Sequence, residues 1–277
     1  ETFSSHTYTD GMNDLLTALQ TYHSDDDLTV FGVSQSAGII GMALQAMIND
    51  PSLQVPANMH FVALAPPTMP IHDNGAGLFL AEKNDGLYNW LYPDAQNPFP
   101  TDSPYPTDVY CGMYDPICDS PAKLPWNYYT SQNLNNASHL IHGGYTKLST
   151  ADLEYEMNHA THLTDISSGS TNFYLMDDIH NFGTAANPDY EPFLPMLGWL
   201  TWSKPLYDLF LPFDTVHVDL GYSDALHTVT IEPFTLWGVD YAGVTDAVVT
   251  SANVHELGAE AWMAGVAAFL QDLGWAG

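Results

Sequence analysis

The chain has no arginine and very few positive charges. Its 277 residues hold only 4 lysines against 33 aspartates and glutamates, and the formal net charge is −29. Nucleic-acid binding needs a basic surface, so this balance argues against it, and it also argues against electrostatic docking on anionic membranes. Without arginine no bidentate clamp can hold a phosphate or a carboxylate. An acidic surface favours solubility and neutral or cationic ligands.

Long apolar runs are also missing. No stretch of about 18 or more apolar residues occurs, so we expect no transmembrane helix. No signal-peptide pattern opens the chain, and we expect any targeting segment to lie outside this sequence. The remaining composition is that of a folded protein, since 45% of the residues are hydrophobic and 13% are aromatic. The length suits one large α/β domain or two small ones.

Cysteine is nearly absent. The two cysteines, Cys111 and Cys118, enclose the segment CGMYDPIC. This spacing favours a local disulfide around a turn, and with it an exported protein. The alternative is a pair of reduced thiols. A zinc site would need further ligands close by, so we expect no metal here.

The first half of the chain alternates helical and strand patterns. Apolar spacing predicts a helix over 10–22, and the apolar segment 28–33 predicts a buried strand. A second helix is predicted over 36–50, followed by a strand over 59–67. A further strand is predicted over 107–115. A strand, a helix and a strand at this spacing form a βαβ unit, so we expect a parallel sheet.

The rest of the chain is less regular. Residues 68–107 are rich in Pro, Asn, Asp and Gly and predict a long loop, with a short helix at LFLAEKN. Residues 120–190 lack a clear period, and we expect helices and a lid-like insertion there. Alternation in TVHVDLGY predicts a strand over 215–222, and an amphipathic helix is predicted over 254–275. One domain with insertions is the simplest division.

A candidate nucleophile lies where the strand 28–33 meets the helix 36–50. The turn reads GVSQS, with Ser34 at its centre and a small residue two positions to either side. This pattern between a strand and a helix is that of a nucleophile elbow, in which the backbone is strained and the serine hydroxyl points outward. The N–H of Gln35 would then face a developing oxyanion. The alternative is a packing turn whose small residues only relieve crowding.

A catalytic serine needs a base and an acid that orients it, in the chain order Ser, Asp or Glu, then His. Asp115 follows the strand 107–115 within the Cys111–Cys118 loop, which makes it the first candidate for the acid. Asp119 is the second candidate, and a solvated loop aspartate is the alternative to both.

Several histidines follow the candidate acid. His142 precedes two glycines in SHLIHGGY and is the first candidate for the base, while His139 could take the same role. The other downstream histidines are His159, His162 and His180. A lone histidine is more often structural than catalytic, so the order Ser34, Asp115, His142 carries this assignment.

The Cys-x3-Asp-x2-Cys loop and the His-x-x-Tyr segment resemble the acid and histidine loops of cutinases. More of the chain resembles the PE-PPE domain, a family of serine α/β-hydrolases related to cutinases. The matching segments are GVSQSA, YDPICDSP, HGGYTKL, PFLPMLGWL and KPLYDLFLPFDTVHVDLGYSD, within residues 9–224. The resemblance implies an α/β-hydrolase (cutinase-like) fold with a mainly parallel central sheet, helices on both faces and lid-like insertions. Residues 1–277 would form one domain, with 225–277 as a C-terminal extension.

The resemblance also implies a chemistry. Ser34 would be the nucleophile, Asp115 the acid, His142 the base and Gln35 an oxyanion donor. Members of the family are esterases or lipases, and some transfer acyl chains to sugars, so the substrate would be an acyl ester or a lipid. No metal or organic cofactor is needed, and the location would be secreted or in the cell envelope. The aromatic loops 86–130 and 172–213 would form an apolar acyl cleft or lid.

One departure from the family concerns the start of the fold. Family members have one or two strands before the helix corresponding to 10–22, and the loop after the first of them supplies a second oxyanion N–H. We find no such segment here, so we expect a second chain or another segment to supply it. The alternative is a non-catalytic cell-envelope binding protein that keeps the hydrolase fold.

Overall fold

The computed structural model describes residues 7–22, 27–72, 74–80, 94–95, 97–121, 127–176, 194–200 and 202–275. The α-helices are α1 (Tyr8–Leu19), α2 (Gln35–Asn49), α3 (Tyr128–Ala137), α4 (Thr150–His159), α5 (Lys204–Asp219) and α6 (Val254–Asp272). A π-helical turn over Ser138–His142 continues α3, and a 3₁₀ helix spans Pro195–Leu200.

The strands are β1 (Asp27–Val33), β2 (Asn58–Leu64), β3 (Gly75–Ala76), β4 (Thr107–Gly112), β5 (Ser120–Pro121), β6 (Thr161–His162), β7 (Thr171–Met176), β8 (Thr228–Ile231), β9 (Phe234–Leu236), β10 (Val239–Tyr241) and β11 (Val244–Val248). The central sheet has the order β1-β2-β4-β7-β6. The first four strands are parallel, and β6 is antiparallel to β7. With helices around it, this sheet confirms the predicted α/β fold with a mainly parallel sheet.

The sheet is buried because its central strands carry apolar side chains on both faces. Phe61 on β2, Val109 on β4 and Phe173 on β7 are fully buried. Helix α2 packs on β1 and β2 through residues such as Ile40 and Leu44. Because β1, β2 and β4 are parallel, their carboxyl ends meet at one edge of the sheet, where ligand sites of open α/β sheets form.

The C-terminal residues form a second, smaller core. Helices α5 and α6 pack against each other, and β8 and β11 form an antiparallel pair beside them. The buried apolar residues of this core are Val216, Val229, Ile231, Val249, Val254, Leu257 and Ala261. Because Val216 lies on α5, this core shares a helix with the rest of the fold.

Most predicted elements agree with the structure to within a few residues, but the strand predicted over 215–222 is wrong. These residues form the last turns of α5 and the turn that follows it. The alternation of Val216 and Val218 suggested a strand, but both side chains are also buried on a helix that begins upstream with Pro205 in its first turn. Tertiary packing decides between the two patterns here.

Other predictions are met only in part. The strand predicted over 59–67 ends at Leu64, two residues before the pair Pro66-Pro67. The short helix predicted at LFLAEKN lies mostly outside the described residues. Among the helices that the structure describes, none is long and apolar enough to cross a membrane.

Close contact between α5 and α6 depends on Gly265. A Cβ atom at this position would lie 2.2 Å from the backbone oxygen of Leu209. Replacing Gly265 with Ala should lower the Tm by about 2–6 °C, because the helices must separate to relieve the overlap. Thermal unfolding followed by circular dichroism measures this.

Gly258→Ala on the same helix is the matched control. Its Cβ would lie 3.2 Å from the His217 ring and 3.8 Å from the Phe213 ring, with no backbone atom among these neighbours, and both substitutions gain the same helix propensity. The Tm of this variant should equal or exceed that of the parent protein. Equal Tm values for the two variants would contradict the contact described for Gly265.

Candidate active site

Ser34 occupies a strained turn between β1 and α2. Its backbone angles are φ 57° and ψ −119°, a region that residues with a side chain rarely adopt. The turn is held to the sheet because the Ser34 N–H donates to the Leu64 carbonyl at 2.8 Å. Strain of this kind persists only where the surroundings enforce it, and it is typical of functional sites.

The two small residues that flank Ser34, Gly32 and Ser36, are each required for a different physical reason. A Cβ on Gly32 would lie 2.8 Å from the backbone carbon of Ser36 and 2.9 Å from its oxygen, so only glycine fits. Ser36 uses its hydroxyl, which donates to the Val33 carbonyl at 2.7 Å and accepts from the Val33 N–H at 2.8 Å. The second small residue of GVSQS is thus a serine that closes the turn.

Gln35 is the first residue of α2. The N–H groups of a first helical turn have no acceptor within the helix, and the helix dipole places partial positive charge there. An oxygen that becomes negative next to the Ser34 hydroxyl would meet this N–H. The helix start therefore suits an oxyanion, and the role of the Gln35 N–H as its donor stays a prediction.

Asp115 lies in the turn between β4 and β5. The disulfide between Cys111 and Cys118 is present and spans this turn, with the two Cα atoms 5.8 Å apart. The carboxylate is fully buried, and one of its oxygens accepts the Ile117 N–H at 2.8 Å. The Asp115 backbone oxygen also accepts the Asp119 N–H at 2.7 Å, which tightens the turn.

His142 brings the predicted residues together. Its Nε2 lies 2.8 Å from the Ser34 Oγ, and its Nδ1 lies 2.9 Å and 3.1 Å from the two oxygens of Asp115. The imidazole is held at the end of the π-helical turn and is partly exposed. The arrangement is that of a nucleophile, a base and an orienting acid.

The alternatives left open by the sequence lie elsewhere. His139 is exposed and His159 and His162 are exposed as well, whereas His180 lies outside the described residues. Asp119 is buried, but its carboxylate contacts His227 and not His142.

Tyr145 is a member of the site that the sequence analysis did not single out. Its hydroxyl donates to Asp115 Oδ2 at 2.7 Å and accepts the Gly112 N–H at 2.9 Å. Burial and the neighbouring Asp115 carboxylate raise the pKa of Tyr145 well above its usual value, so the hydroxyl keeps its proton. The available signal was its position three residues after His142 in HGGY.

A second buried network lies behind the acid turn. Asp119 Oδ2 lies 3.0 Å from His227 Nε2, and Asp119 Oδ1 lies 3.3 Å from His72 Nε2. Asp119 also accepts the N–H of Tyr114, the residue before Asp115, at 2.7 Å. The other ring nitrogen of His227 lies 2.9 Å from Asp224. The turn that holds Asp115 is thus fixed by a charged group four residues further along.

The electrostatics of this network follow from burial and pairing. Burial disfavours a charged His227, but the carboxylates of Asp119 and Asp224 outweigh it and raise the pKa of His227 to about 10. Burial likewise opposes the charge on Asp119, yet His227 and His72 hold the pKa of this carboxyl below its usual value. Burial raises the pKa of Asp219 to about 7, although its oxygen accepts the Tyr114 hydroxyl.

Within the described residues, no group of three or more His, Cys, Asp or Glu side chains could hold a metal ion.

The network predicts that the free energy of unfolding falls as the pH rises from about 4 to about 10. The His227 pKa is raised from 6.5 to about 10 on folding, so its contribution is complete below 6.5 and is lost toward pH 10. The Asp219 pKa is raised from 3.8 to about 7, so ionisation of this buried group also destabilises the fold over that range. The lowered pKa values of Asp119 and Asp224 limit stability only in stronger acid.

Tm values measured across this pH range test the prediction. The highest Tm should occur in mild acid, near about pH 4–5. His227→Gln removes the group that titrates above pH 6.5 and should flatten the curve there. A Tm that rises between pH 7 and pH 9.5 would contradict the proposed pairing.

Comparisons with known proteins assign the chain to a family. The PE-PPE domain family matches residues 2–223. The chain is 29% identical over 217 residues to "PE family protein PE3" of Mycobacterium tuberculosis, covering 76% of this chain and 41% of that protein. It is 26% identical over 218 residues to "Uncharacterized PPE family protein PPE28" of the same organism, covering 77% of this chain and 30% of that protein.

The chain thus spans less than half the length of these relatives. No solved structure matches it. The family match covers most of the chain and includes the residues around Ser34, Asp115 and His142. On this basis the chain belongs to the PE-PPE domain family.

Proposed function

We propose that this protein is a serine carboxylic-ester hydrolase, an esterase or lipase, that acts through an acyl-enzyme on Ser34. The observation that carries the proposal is the pair of contacts made by His142, 2.8 Å to the Ser34 Oγ and 2.9 Å to Asp115. The strained turn at Ser34 supports it, because a serine in such a turn between a strand and a helix is typical of a nucleophile elbow.

In the first half-reaction the Ser34 Oγ attacks the acyl carbon of the ester, and its proton passes to His142 Nε2. The carbonyl oxygen becomes an oxyanion beside the Gln35 N–H. The tetrahedral adduct then collapses, the bond to the alkoxy oxygen breaks, and His142 returns the proton to the leaving alcohol. An acyl-enzyme on Ser34 remains.

In the second half-reaction a water molecule attacks the acyl carbon and gives a proton to His142. Collapse of the second adduct releases the carboxylic acid and returns the proton to the Ser34 oxygen. Asp115 keeps the Nδ1–H tautomer of His142 through both steps and stabilises the imidazolium. Tyr145 and the Ile117 N–H hold the Asp115 oxygens in place, so both act as positioning groups.

The acyl acceptor is a separate question. A sugar or lipid hydroxyl can replace water in the second half-reaction, and the protein would then be an acyltransferase. The substrate in both cases is an acyl ester or lipid. The ranges 86–130 and 172–213, predicted to line an apolar acyl cleft or lid, include many residues outside the described part of the chain. The extent of this cleft therefore stays a prediction.

We also propose a secreted or cell-envelope location and a further strand beside β1. The disulfide supports an oxidising compartment. Within the described residues β1 pairs only with β2, and Phe31 on β1 is 55% exposed. Another chain or segment that adds a strand at this edge would cover Phe31 and could supply the second oxyanion N–H. A second chain would co-purify and appear on a denaturing gel.

Reaction with a fluorophosphonate tests the nucleophile. The parent protein should gain one adduct on Ser34, measured by intact mass and mapped by peptide sequencing, and it should hydrolyse p-nitrophenyl esters. Ser34→Ala should lose the adduct and lower turnover by at least about 10³-fold. Ser251→Ala, at an exposed serine outside the candidate site, is the matched control and should keep the adduct. A folded parent protein without an adduct would instead support a non-catalytic binding protein.

Paired substitutions distinguish the two candidate acids. Asp115→Asn should lower the kcat of ester hydrolysis by about 10³–10⁴-fold with a small change in Tm, because the imidazole loses its orienting carboxylate. Asp119→Asn should lower the Tm by several degrees, because buried His227 and His72 lose their charged partner. Its kcat should fall much less than that of Asp115→Asn, because the new amide oxygen can still accept the Tyr114 N–H that sets the turn. The opposite pattern would make Asp119 the acid.

A further inference from the structure

A cavity of about 430 Å³ lies between α3, the 3₁₀ helix and α5. Its wall holds four aromatic rings, those of Tyr128, Tyr129, Trp199 and Phe210. None of the candidate catalytic residues lines it. Tyr128 and Trp199 are 69% and 68% exposed, so their rings border the entrance and are open to a ligand.

Asp214 lies in the wall of this cavity. It is on α5, one helical turn after Phe210, and only 7% of its surface is exposed. Among the described residues its carboxylate has no hydrogen-bond or ion-pair partner. By contrast, Asp115, Asp119 and Asp224 are buried with donors on their oxygens. A buried carboxylate without a donor is expensive, and such groups are normally paired.

The pKa of the Asp214 carboxyl also reflects burial without a partner. Burial alone raises the pKa of the Asp214 carboxyl to about 6. No positive group of the protein counteracts the burial, so the carboxylate that forms above this pH is open to a charged partner from outside.

We propose that this cavity binds an organic ammonium ion, with Asp214 as its counter-ion and the aromatic rings as its walls. A carboxylate supplies the charge, and the faces of Trp and Tyr rings attract cations within about 6 Å. The rings also accept the methyl or methylene groups of such a ligand by apolar contact. The net charge of −29 raises the local concentration of cations around the protein.

Other small ligands fit the wall less well. An inorganic cation would need several oxygen ligands, and Asp214 is the one acidic side chain among the described residues that line this cavity. A neutral sugar would need several hydrogen-bonding groups, but the Asn136 amide, one of the two in the wall, already donates to Met196. A neutral lipid chain would leave the Asp214 carboxylate unpaired.

The cavity is a separate site from the triad, and this inference does not rest on the proposed hydrolase function. It does adjoin the triad along the chain. Asn136 lies on α3, which continues into the π-helical turn that ends at His142. Occupation of the cavity would therefore contact the helix that holds the candidate base.

Titration calorimetry with choline tests the proposal, and 3,3-dimethyl-1-butanol serves as the neutral probe of the same shape. Choline should bind the parent protein at least about tenfold more tightly than the neutral probe. Asp214→Asn should weaken choline binding by at least about tenfold, because the counter-ion is removed. Asp165→Asn, an exposed aspartate outside the cavity, removes the same charge and should leave the affinity unchanged.

Two further measurements keep the result unambiguous. Asp214→Asn should raise the Tm without ligand at pH 8, since a neutral amide costs less to bury than an unpaired charge. Trp199→Ala, at an exposed ring, should weaken choline binding with little change in Tm. Equal affinities for choline and the neutral probe, or equal affinities in the Asp214 and Asp165 variants, would overturn the proposal. So would binding of glucose in place of choline.

Discussion

The buried ion pair between Asp119 and His227 fixes the turn on which the candidate site depends. Asp119 accepts the Tyr114 N–H with the same oxygen that faces His227, so the pair sets the backbone just before Asp115. Tyr114 has a φ of 63°, which a large side chain adopts only under constraint. Breaking a buried pair by removing one partner costs about 3–5 kcal/mol, because the other charge stays buried. The Cys111–Cys118 disulfide adds a covalent limit to the same turn.

Two aspartates four residues apart thus take different parts because of what surrounds them. Both Asp115 and Asp119 are fully buried at the end of the same strand. Asp115 faces a partly exposed histidine and two neutral donors, the Tyr145 hydroxyl and the Ile117 N–H. Under the proposed function, this environment lets His142 exchange a proton with the substrate. Asp119 is enclosed with charged His227, which cannot leave its pair without a large energetic cost.

The sequence predicts the group of Ser34, Asp115 and His142 much better than it predicts the buried network around Asp119. Ser34 stands out because a strand, a small-residue turn and a helix follow each other directly, and all of these are local signals. Asp115 and His142 follow from their order after Ser34 and from the family resemblance. The contacts between them agree with that order, but the two glycines that follow His142 are a weak local signal against His139, three residues earlier. The π-helical turn, which leaves His139 exposed, separates the two.

The partners of Asp119 could not be predicted in the same way. His72 is 47 residues before it and His227 is 108 residues after it, so no local pattern connects them. The strand expected at 215–222 failed for a related reason. Val216 and Val218 alternate as in a strand, and only the packing of α5 against the C-terminal residues makes this segment a helix. The periodicity of apolar residues along the chain carries no information about contacts between residues that are distant in the sequence.

The contacts of Asp119 with His227 show that the buried network extends beyond the residues that the family model matches. The match ends at residue 223, yet Asp224 and His227 come directly after it and complete the network behind the acid turn. Helix α5 extends this connection, since one of its faces packs on the main core and another on the C-terminal core. A chain cut at residue 223 would leave Asp119 buried with His72 alone. The C-terminal residues are therefore tied to the geometry of Asp115 by buried charge.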